Sequence, residues 1–389
     1  MPRKSFVLTA PRALAEGLDI PAFRARLLDW FAASARDLPW RRSLDPYHVW
    51  LSEIMLQQTQ MERGVAYFTR FIARFPDIAA LDAASEDEVL KLWEGLGYYS
   101  RARNLRRAAR VVMERHGGVF PRGLAEIRAL PGVGPYTAGA IASVAFNAAV
   151  PAVDANVVRV LARVLDIDAP VSAPAVKRRI AAAAADLLDR EHARAFNQAL
   201  MELGALVCRP RKPECPACPI AGLCLGLARG TTQWRPVLKP GPEIIRINMA
   251  CGVLAWDGRI YIQKRRNNDV WPGLWEFPGG VMESGEQPEE TLVREYMEET
   301  GLAVAPGPAI GMLRSSYTRY RITLRGFFCA AAPGVDPVAE HRLNEADEAR
   351  FVEPRELTRF AFPSGHARLV TKLLTDLRLS AFLAGERIG

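Results

Sequence analysis

Two carboxylates, four cysteines and one row of glutamates are the side chains whose types and spacing can do chemistry in this chain. Glu53 lies in "VWLSEIMLQQTQ", flanked by Trp50, Leu51, Ile54 and Met55. A carboxyl desolvated by such neighbours has a raised pKa and can hold a proton near neutral pH. Asp154 lies in "PAVDANVVRVLARV", where an apolar stretch turns into a helix, the ordinary place for an N-capping aspartate. The two stand 101 residues apart, and nothing in the sequence itself brings them together. "CRPRKPECPACPIAGLC" spaces Cys208, Cys215, Cys218 and Cys224 with six, two and five residues between them. Four thiolates on one short loop can ligate zinc or a [4Fe–4S] cluster, and the spacing alone does not choose. Arg209, Arg211 and Lys212 inside the loop are either solvated charge or contacts for a nucleic-acid backbone. In "GVMESGEQPEETLVREYMEETGL", Glu295, Glu298 and Glu299 share one face of the helix expected after Pro288. Such a row is either a solvated acidic face or a seat for a hard cation such as Mg²⁺.

Those side chains need elements to position them. Residues 21 to about 207 carry apolar residues at three- and four-residue spacing, as in "PAFRARLLDWFAASA" and "VKRRIAAAAADLLDREHARAFNQALMELGALV", and read as a succession of amphipathic helices. "LPGVGPYTAGAIASVAF", residues 130–146, joins a helix end to an apolar helix through Gly132-Val133-Gly134. Such a junction is a helix cap followed by a new helix, or a set of N–H groups at a helix N-terminus that hold an anion. "GLARGTTQWRPVLKPGPE" has no periodicity and reads as a linker over 226–243. From residue 244 the pattern changes: "IRINMACGVLAW", the turn "DGR" and "IYIQKR" form a hairpin, "YRITLRGFFCAAA" and "EARFVEP" add strands, and a helix interrupts them. Cys251 and Cys329 fall in these strands as packed thiols.

The expected architecture is therefore multidomain: an N-terminal extension over 1–20, an all-α domain over 21–230, the linker, and an α+β domain over 244–389. The 389 residues carry a net charge of +8, and all of the excess lies in residues 1–230, with 31 Lys and Arg against 23 Asp and Glu. That half suits a polyanion such as DNA. No run of about 20 apolar residues predicts a membrane span, and the first residues lack the apolar core of a secretory signal. The expectation is a cytoplasmic protein with reduced thiols, so clustered cysteines read as metal ligands rather than disulfides.

The cysteine spacing resembles that of the endonuclease III family of DNA glycosylases, where it holds a [4Fe–4S] cluster; it is the resemblance that assigns iron and sulfur. The 130–146 segment resembles the helix-hairpin-helix of the same superfamily, which grips DNA phosphates without reading sequence. "DLPWRR", "PYHVWLSEIMLQQTQ", "WEGLGYYSRARNL", "LPGVGPYTAGAI", "VDANVVRVLAR" and "FNQALMELGALVC" follow one another as in adenine DNA glycosylases of the MutY type, which remove adenine misincorporated opposite 8-oxoguanine. The resemblance implies that Glu53 protonates the departing adenine and then assists water. It implies that Asp154 stabilises the cationic sugar, a proton donor and an anion as in glycoside hydrolysis, on a base flipped out of the duplex. It places Gln58 and Tyr98 as wedges in the base stack, Trp40, Arg41 and Gln198 in the adenine pocket, and Asn156 against Asp154. Lyase members carry a lysine just after the hairpin; here Tyr136 stands there and cannot form a Schiff base, which implies a monofunctional enzyme.

Residues 280–302 fulfil the Nudix hydrolase box, with Tyr296 where a smaller aliphatic residue is usual. MutY-type enzymes carry a C-terminal domain of Nudix-like fold that recognises 8-oxoguanine, but its box is usually degenerate; here it is intact. The favoured expectation is repurposed recognition, and the alternative is Mg²⁺-dependent pyrophosphohydrolysis of oxidised nucleotides at Glu295, Glu298 and Glu299. The Phe-Ser-His loop of such enzymes is replaced by Tyr317, Thr318 and Arg319, an aromatic, a hydroxyl and a donor preserved in kind. His366 in "FPSGHARL" is a further candidate for lesion contact or a surface residue. The implied partner is double-stranded DNA with an A:8-oxoguanine or A:G mispair, bound by a monomer associated with a bacterial-type nucleoid.

Overall fold

A computed structural model describes residues 17–386; residues 1–16 of the expected extension and 387–389 of the second domain lie outside it. Cα packing divides the chain into two compact units. One ends at Asp82 and resumes over Arg107–Pro240; the other takes Ala83–Arg106 and runs from Gly241 onward. The fold is the expected one, a helical part followed by a sheet-containing part, but Ala83–Arg106 packs with the second unit although its sequence is helical. Among the described residues no helix is long and apolar enough to cross a membrane.

In the helical unit the Pro46–Met55 helix starts where Asp45 accepts the Tyr47 N–H at 2.7 Å and Pro46 takes the first turn. It buries Val49, Trp50, Leu51, Ile54 and Met55, so Glu53 is held among apolar neighbours on a helix with little free surface. The Leu124–Arg128 and Pro135–Phe146 helices form the hairpin, and the turn between them uses Gly132 at φ 77°. Every residue from Thr137 to Val144 is buried. Gly139 is required there, because a Cβ would stand 2.5 Å from the Pro151 carbonyl oxygen. The chain then enters the Ala155–Val164 helix, whose N-terminus is capped by Asp154 accepting the Val157 N–H. Val157, Val160, Leu161 and Val164 pack against Phe196, Leu200 and Leu203 of the Ala193–Leu206 helix, with Phe23 and Leu27 behind them.

The stretch expected as a linker is ordered in its first half. Leu225–Ala228 is a short helix, and Arg163 Nε donates to the carbonyls of Thr232 and Arg235, both at 2.9 Å. Asp166 accepts from Thr231 Oγ1 at 2.6 Å and from Arg235 Nε at 2.9 Å. Two side chains 60-odd residues upstream supply these partners, which the local sequence could not reveal.

The second unit is built on a seven-stranded mixed sheet of order β3-β2-β1-β6-β5, with β4 on β1 and β7 on β2. The strands are β1 Ile245–Trp256, β2 Arg259–Arg265, β3 Trp275–Glu276, β4 Gly279–Val281, β5 Val304–Tyr317, β6 Tyr320–Ala331 and β7 Ala346–Val352. β1 and β2 form the expected hairpin around Asp257 and Gly258, both at positive φ. β1 runs parallel to β6 and is buried continuously over 250–254 because both faces are covered. Ala250 and Leu254 meet Leu292 and Tyr296 of the Pro288–Thr300 helix, while Cys251 and Val253 meet Leu369 and Leu373 of the Ser364–Leu374 helix. Tyr296 fits because Gly252 leaves room for it: a Cβ there would lie 2.8 Å from its ring, and its hydroxyl donates to the Gly252 carbonyl at 2.8 Å. Ala83–Arg106 is tied on by polar contacts. Lys91 Nζ donates to the Phe360 carbonyl at 2.8 Å, Glu94 accepts the Phe362 N–H at 2.8 Å, and Lys264 pairs with Asp87 at 2.6 Å.

The tightest helix contact gives a first prediction. Gly139→Ala forces a methyl into the Pro151 backbone and should destabilise the helical unit by about 1–3 kcal/mol, read as a lower midpoint for its unfolding transition; an unchanged midpoint would show that the crossing relaxes freely.

Candidate active site

Glu53, Tyr136 and Asp154 line one cavity of about 670 Å³ in the helical unit, within the range of about 300–1,000 Å³ typical of small-ligand pockets. Trp40, Arg41, Gln58, Asn156 and Gln198 line it too, so eight of the residues singled out above share one space. Three elements bring the acids together: the Pro46–Met55 helix carries Glu53, the second hairpin helix carries Tyr136, and Asp154 opens the helix that follows. Trp40 is buried edge-on to Phe68, with ring centroids 5.2 Å apart. Gln58 sits at φ 57°, a conformation L side chains rarely hold.

The two carboxyls have unlike surroundings. Burial pushes Glu53 up to about 7, helped by the Asp154 charge and opposed by the Tyr136 hydroxyl, which donates to Glu53 Oε2 at 2.6 Å, and by Arg41. Burial also lifts Asp154 above the usual carboxylate range, but more donors oppose it. Val157 N–H reaches Oδ1 at 2.7 Å and Asn156 Nδ2 reaches Oδ2 at 2.6 Å, with Arg159 adding positive charge. Arg159 in turn donates to Asn156 Oδ1 at 2.7 Å and to the Cys208 carbonyl at 2.8 Å. A buried acid that keeps its proton to about 7 faces a carboxylate wrapped in donors, the arrangement that splits acid and anion roles between two like groups.

Cys208, Cys215, Cys218 and Cys224 all line a second, small cavity beside Arg163 and Val207. Burial pushes Cys218 up to about 11, and the other three thiols push the same way. The Ile220 N–H opposes it on Cys218, the Leu227 and Gly226 N–H groups do the same for Cys224, whose pKa burial also raises, and Arg163 Nη1 lies 3.3 Å from Cys208 Sγ. The four cysteines line one space, but among the described residues no three of them form a seat for a single metal ion; the larger [4Fe–4S] cluster is what four thiolates around such a space can ligate. At the hairpin, Gly132 and Gly134 are exposed, whereas Val133 is buried and its N–H is committed to the Leu130 carbonyl at 3.1 Å. Of the three turn residues named from sequence, the two glycines therefore face outward.

In the second unit Arg294 occupies the middle of the acidic row. It pairs with Glu286 and Glu295 at 2.9 Å and with Glu298 at 3.1 Å. Glu299 is buried and accepts from Gln263 Nε2 at 2.8 Å and the Gly279 N–H at 3.1 Å. Among the described residues no three His, Cys, Asp or Glu side chains gather as a seat for a single metal ion. Thr318 and Arg319 form the two-residue turn of the β5–β6 hairpin, and Tyr317 closes β5. Tyr98 is not a cavity residue: it lies in the second unit, its ring centroid 5.9 Å from that of Tyr317. His366 is buried, accepts the Phe277 N–H at 3.2 Å, and is held low, at about 3, by burial and the nearby Arg265 charge. It is a core residue rather than a surface one.

Residues 51–184 match the HhH-GPD superfamily base excision DNA repair protein model, and residues 250–372 match the NUDIX domain model. An adenine DNA glycosylase of Rattus norvegicus is 36% identical, covering 80% of this chain and 71% of its own length. That of Homo sapiens is 35% identical over 82% and 69%, and that of Mus musculus 46% identical over 75% and 66%. The chain belongs to the adenine DNA glycosylases. In this adenine DNA glycosylase the second unit is thus a Nudix-type domain appended to the helical repair domain.

One pocket group escaped the sequence reading. Glu202 is buried and bonded to Arg36 at 2.8 Å and Arg41 at 3.0 Å; burial works against its charge, yet the two guanidiniums hold it at about 2. A lone acid among the apolar residues of "FNQALMELGAL" was the available signal. This pair fixes Arg41 in the cavity wall of the glycosylase. The Glu53 environment also predicts a pH effect. Its proton is held more tightly folded than unfolded, so its contribution is present in acid and lost as pH rises through about 7. Glu53→Gln should therefore stabilise the protein by an amount that grows across that window in thermal melts, and a pH-independent gain would contradict a buried neutral carboxyl.

Proposed function

We propose that this chain is a monofunctional glycosylase of base excision repair that hydrolyses the N-glycosidic bond of adenine mispaired with 8-oxoguanine or guanine in double-stranded DNA. The observation that carries the reading is the single cavity faced by a proton-holding Glu53 and a donor-wrapped Asp154. Glu53 gives its proton to the adenine ring, the glycosidic bond breaks with its electrons leaving on the base, and Asp154 stabilises the sugar cation. The ionised Glu53 then takes a proton from the attacking water, which restores the acid. Tyr136 keeps Glu53 oriented through its 2.6 Å bond, and a phenol at this place offers no amine for a Schiff base.

Trp40, Arg41 and Gln198 line the base pocket, and Asn156 holds Asp154. The amides at Gly132 and Gly134 take DNA phosphates, Gln58 and Tyr98 wedge into the stack, and Tyr317, Thr318 and Arg319 meet the opposite base. Cys208, Cys215, Cys218 and Cys224 would hold a [4Fe–4S] cluster, which would cross-link the 208–224 loop that carries Arg209 and Arg211. The working division is a helical repair domain over 21–230 and a Nudix-like recognition domain from 244, in a monomer of the bacterial cytoplasm. Similarity to adenine DNA glycosylases over 80% and 82% of the chain supports recognition over Mg²⁺-dependent hydrolysis for the second domain.

Wild type should release free adenine from an A:8-oxoguanine duplex, and Glu53→Gln should slow single-turnover release by about 10²–10⁴-fold; equal rates would remove Glu53 from the chemistry. Borohydride should trap no covalent protein–DNA adduct, and an efficient adduct would contradict monofunctional hydrolysis. Purified protein should contain equimolar iron and sulfide, with Cys215→Ser losing both, whereas stoichiometric zinc would reassign the cysteine loop.

A further inference from the structure

Trp271 lies half-buried in the loop between β2 and β3. Its ring lies edge-on to Tyr317 with centroids 5.3 Å apart at 73°, and Tyr317 lies 5.9 Å from Tyr98. All three rings belong to the second unit and all are only partly buried. A hydrophobic core would hide such rings, as this unit does with Trp275, Tyr296 and Phe328. The backbone adds an independent observation. Trp271 is at φ 58°, Tyr98 at 48° and Thr318, next to Tyr317, at 50°, so three non-glycine residues in the left-handed region converge on one cluster. The case of Trp271 is the sharpest, because it is bulky and precedes Pro272, where an extended backbone is the norm. Residues in such conformations persist where surrounding structure enforces them, and they gather at binding sites. Here Arg265 Nε bonds the Val270 carbonyl at 2.7 Å, and the Leu274 N–H bonds that of Trp271 at 3.3 Å. Cations flank the rings: the Arg101 guanidinium lies 5.6 Å from the Tyr98 centroid, and Arg321 bonds the Thr318 carbonyl at 3.2 Å. Half-exposed rings beside arginines are the surface that stacks a nucleobase and meets its phosphates.

We propose that Trp271 is a positioning residue for the base opposite the target adenine, acting through Tyr317: its indole edge fixes the Tyr317 ring so that the Thr318–Arg319 turn presents to an oxidised purine. The inference rests on the reading of 317–319 as the lesion loop and adds a residue from a separate loop to it.

The test compares single-turnover adenine release from A:8-oxoguanine and A:G duplexes. Trp271→Leu, which keeps bulk and loses the ring, should cut the 8-oxoguanine preference at least tenfold while A:G release stays within twofold. Trp271→Phe should restore most of the preference, an outcome that simple loss of packing would not give. If Trp271→Leu and Trp271→Ala keep the wild-type ratio while Tyr317→Ala loses it, the positioning role falls and the lesion loop stands. If Tyr317→Ala also keeps the ratio, the lesion-loop reading falls and takes the inference with it.

Discussion

The chemistry of the helical unit depends on the desolvation of one carboxyl. Glu53 is surrounded by the apolar side chains of its own helix and receives one hydrogen bond from the protein, the short one from Tyr136. A charge there is costly, so the group holds its proton to about 7. Asp154 is buried as well, but it spends its position at a helix start on collecting the Val157 N–H and the Asn156 amide. Two like groups thus have unlike settings: Glu53 has one donor, and Asp154 has several opposing the effect of its burial. The rest of the helical unit serves that contrast: Gly139 lets the hairpin helix approach the segment leading to Asp154, and the buried faces around Val157 and Leu161 fix the direction in which it points.

Much of this was legible in the sequence because it is local. Periodicity marks the helices, "DG" marks the β1–β2 hairpin, and Trp50, Leu51, Ile54 and Met55 give Glu53 its apolar environment. The continuous burial of β1 over 250–254 was written in "ACGVL". What stayed hidden is set by partners distant in the chain. The meeting of Glu53 with Asp154 needed three elements, and their pairing came to the sequence reading only through resemblance. The Glu202 network joins residues about 160 positions apart, and the order within 226–235 comes from Arg163 and Asp166. β5 lacks a strand signature because Pro306, Gly307, Pro308 and Gly311 interrupt the alternation of a strand whose pairing to β6 shifts register twice.

In the second unit the motif holds its own glutamates: Arg294 bonds Glu286, Glu295 and Glu298, and Glu299 accepts from Gln263 and Gly279. The motif here also has a structural task, since its helix covers one face of the sheet through Leu292 and Tyr296. Positive-φ backbone and half-buried rings collect at the β5–β6 hairpin tip and in the loop after β2.

Infrared difference spectroscopy reads the protonation state of Glu53 directly. Subtracting Glu53→Gln from wild type should leave a protonated-carboxyl C=O band that disappears with a midpoint near 7. A band already lost in the ordinary carboxylate range, leaving only carboxylate absorption at neutral pH, would contradict the account.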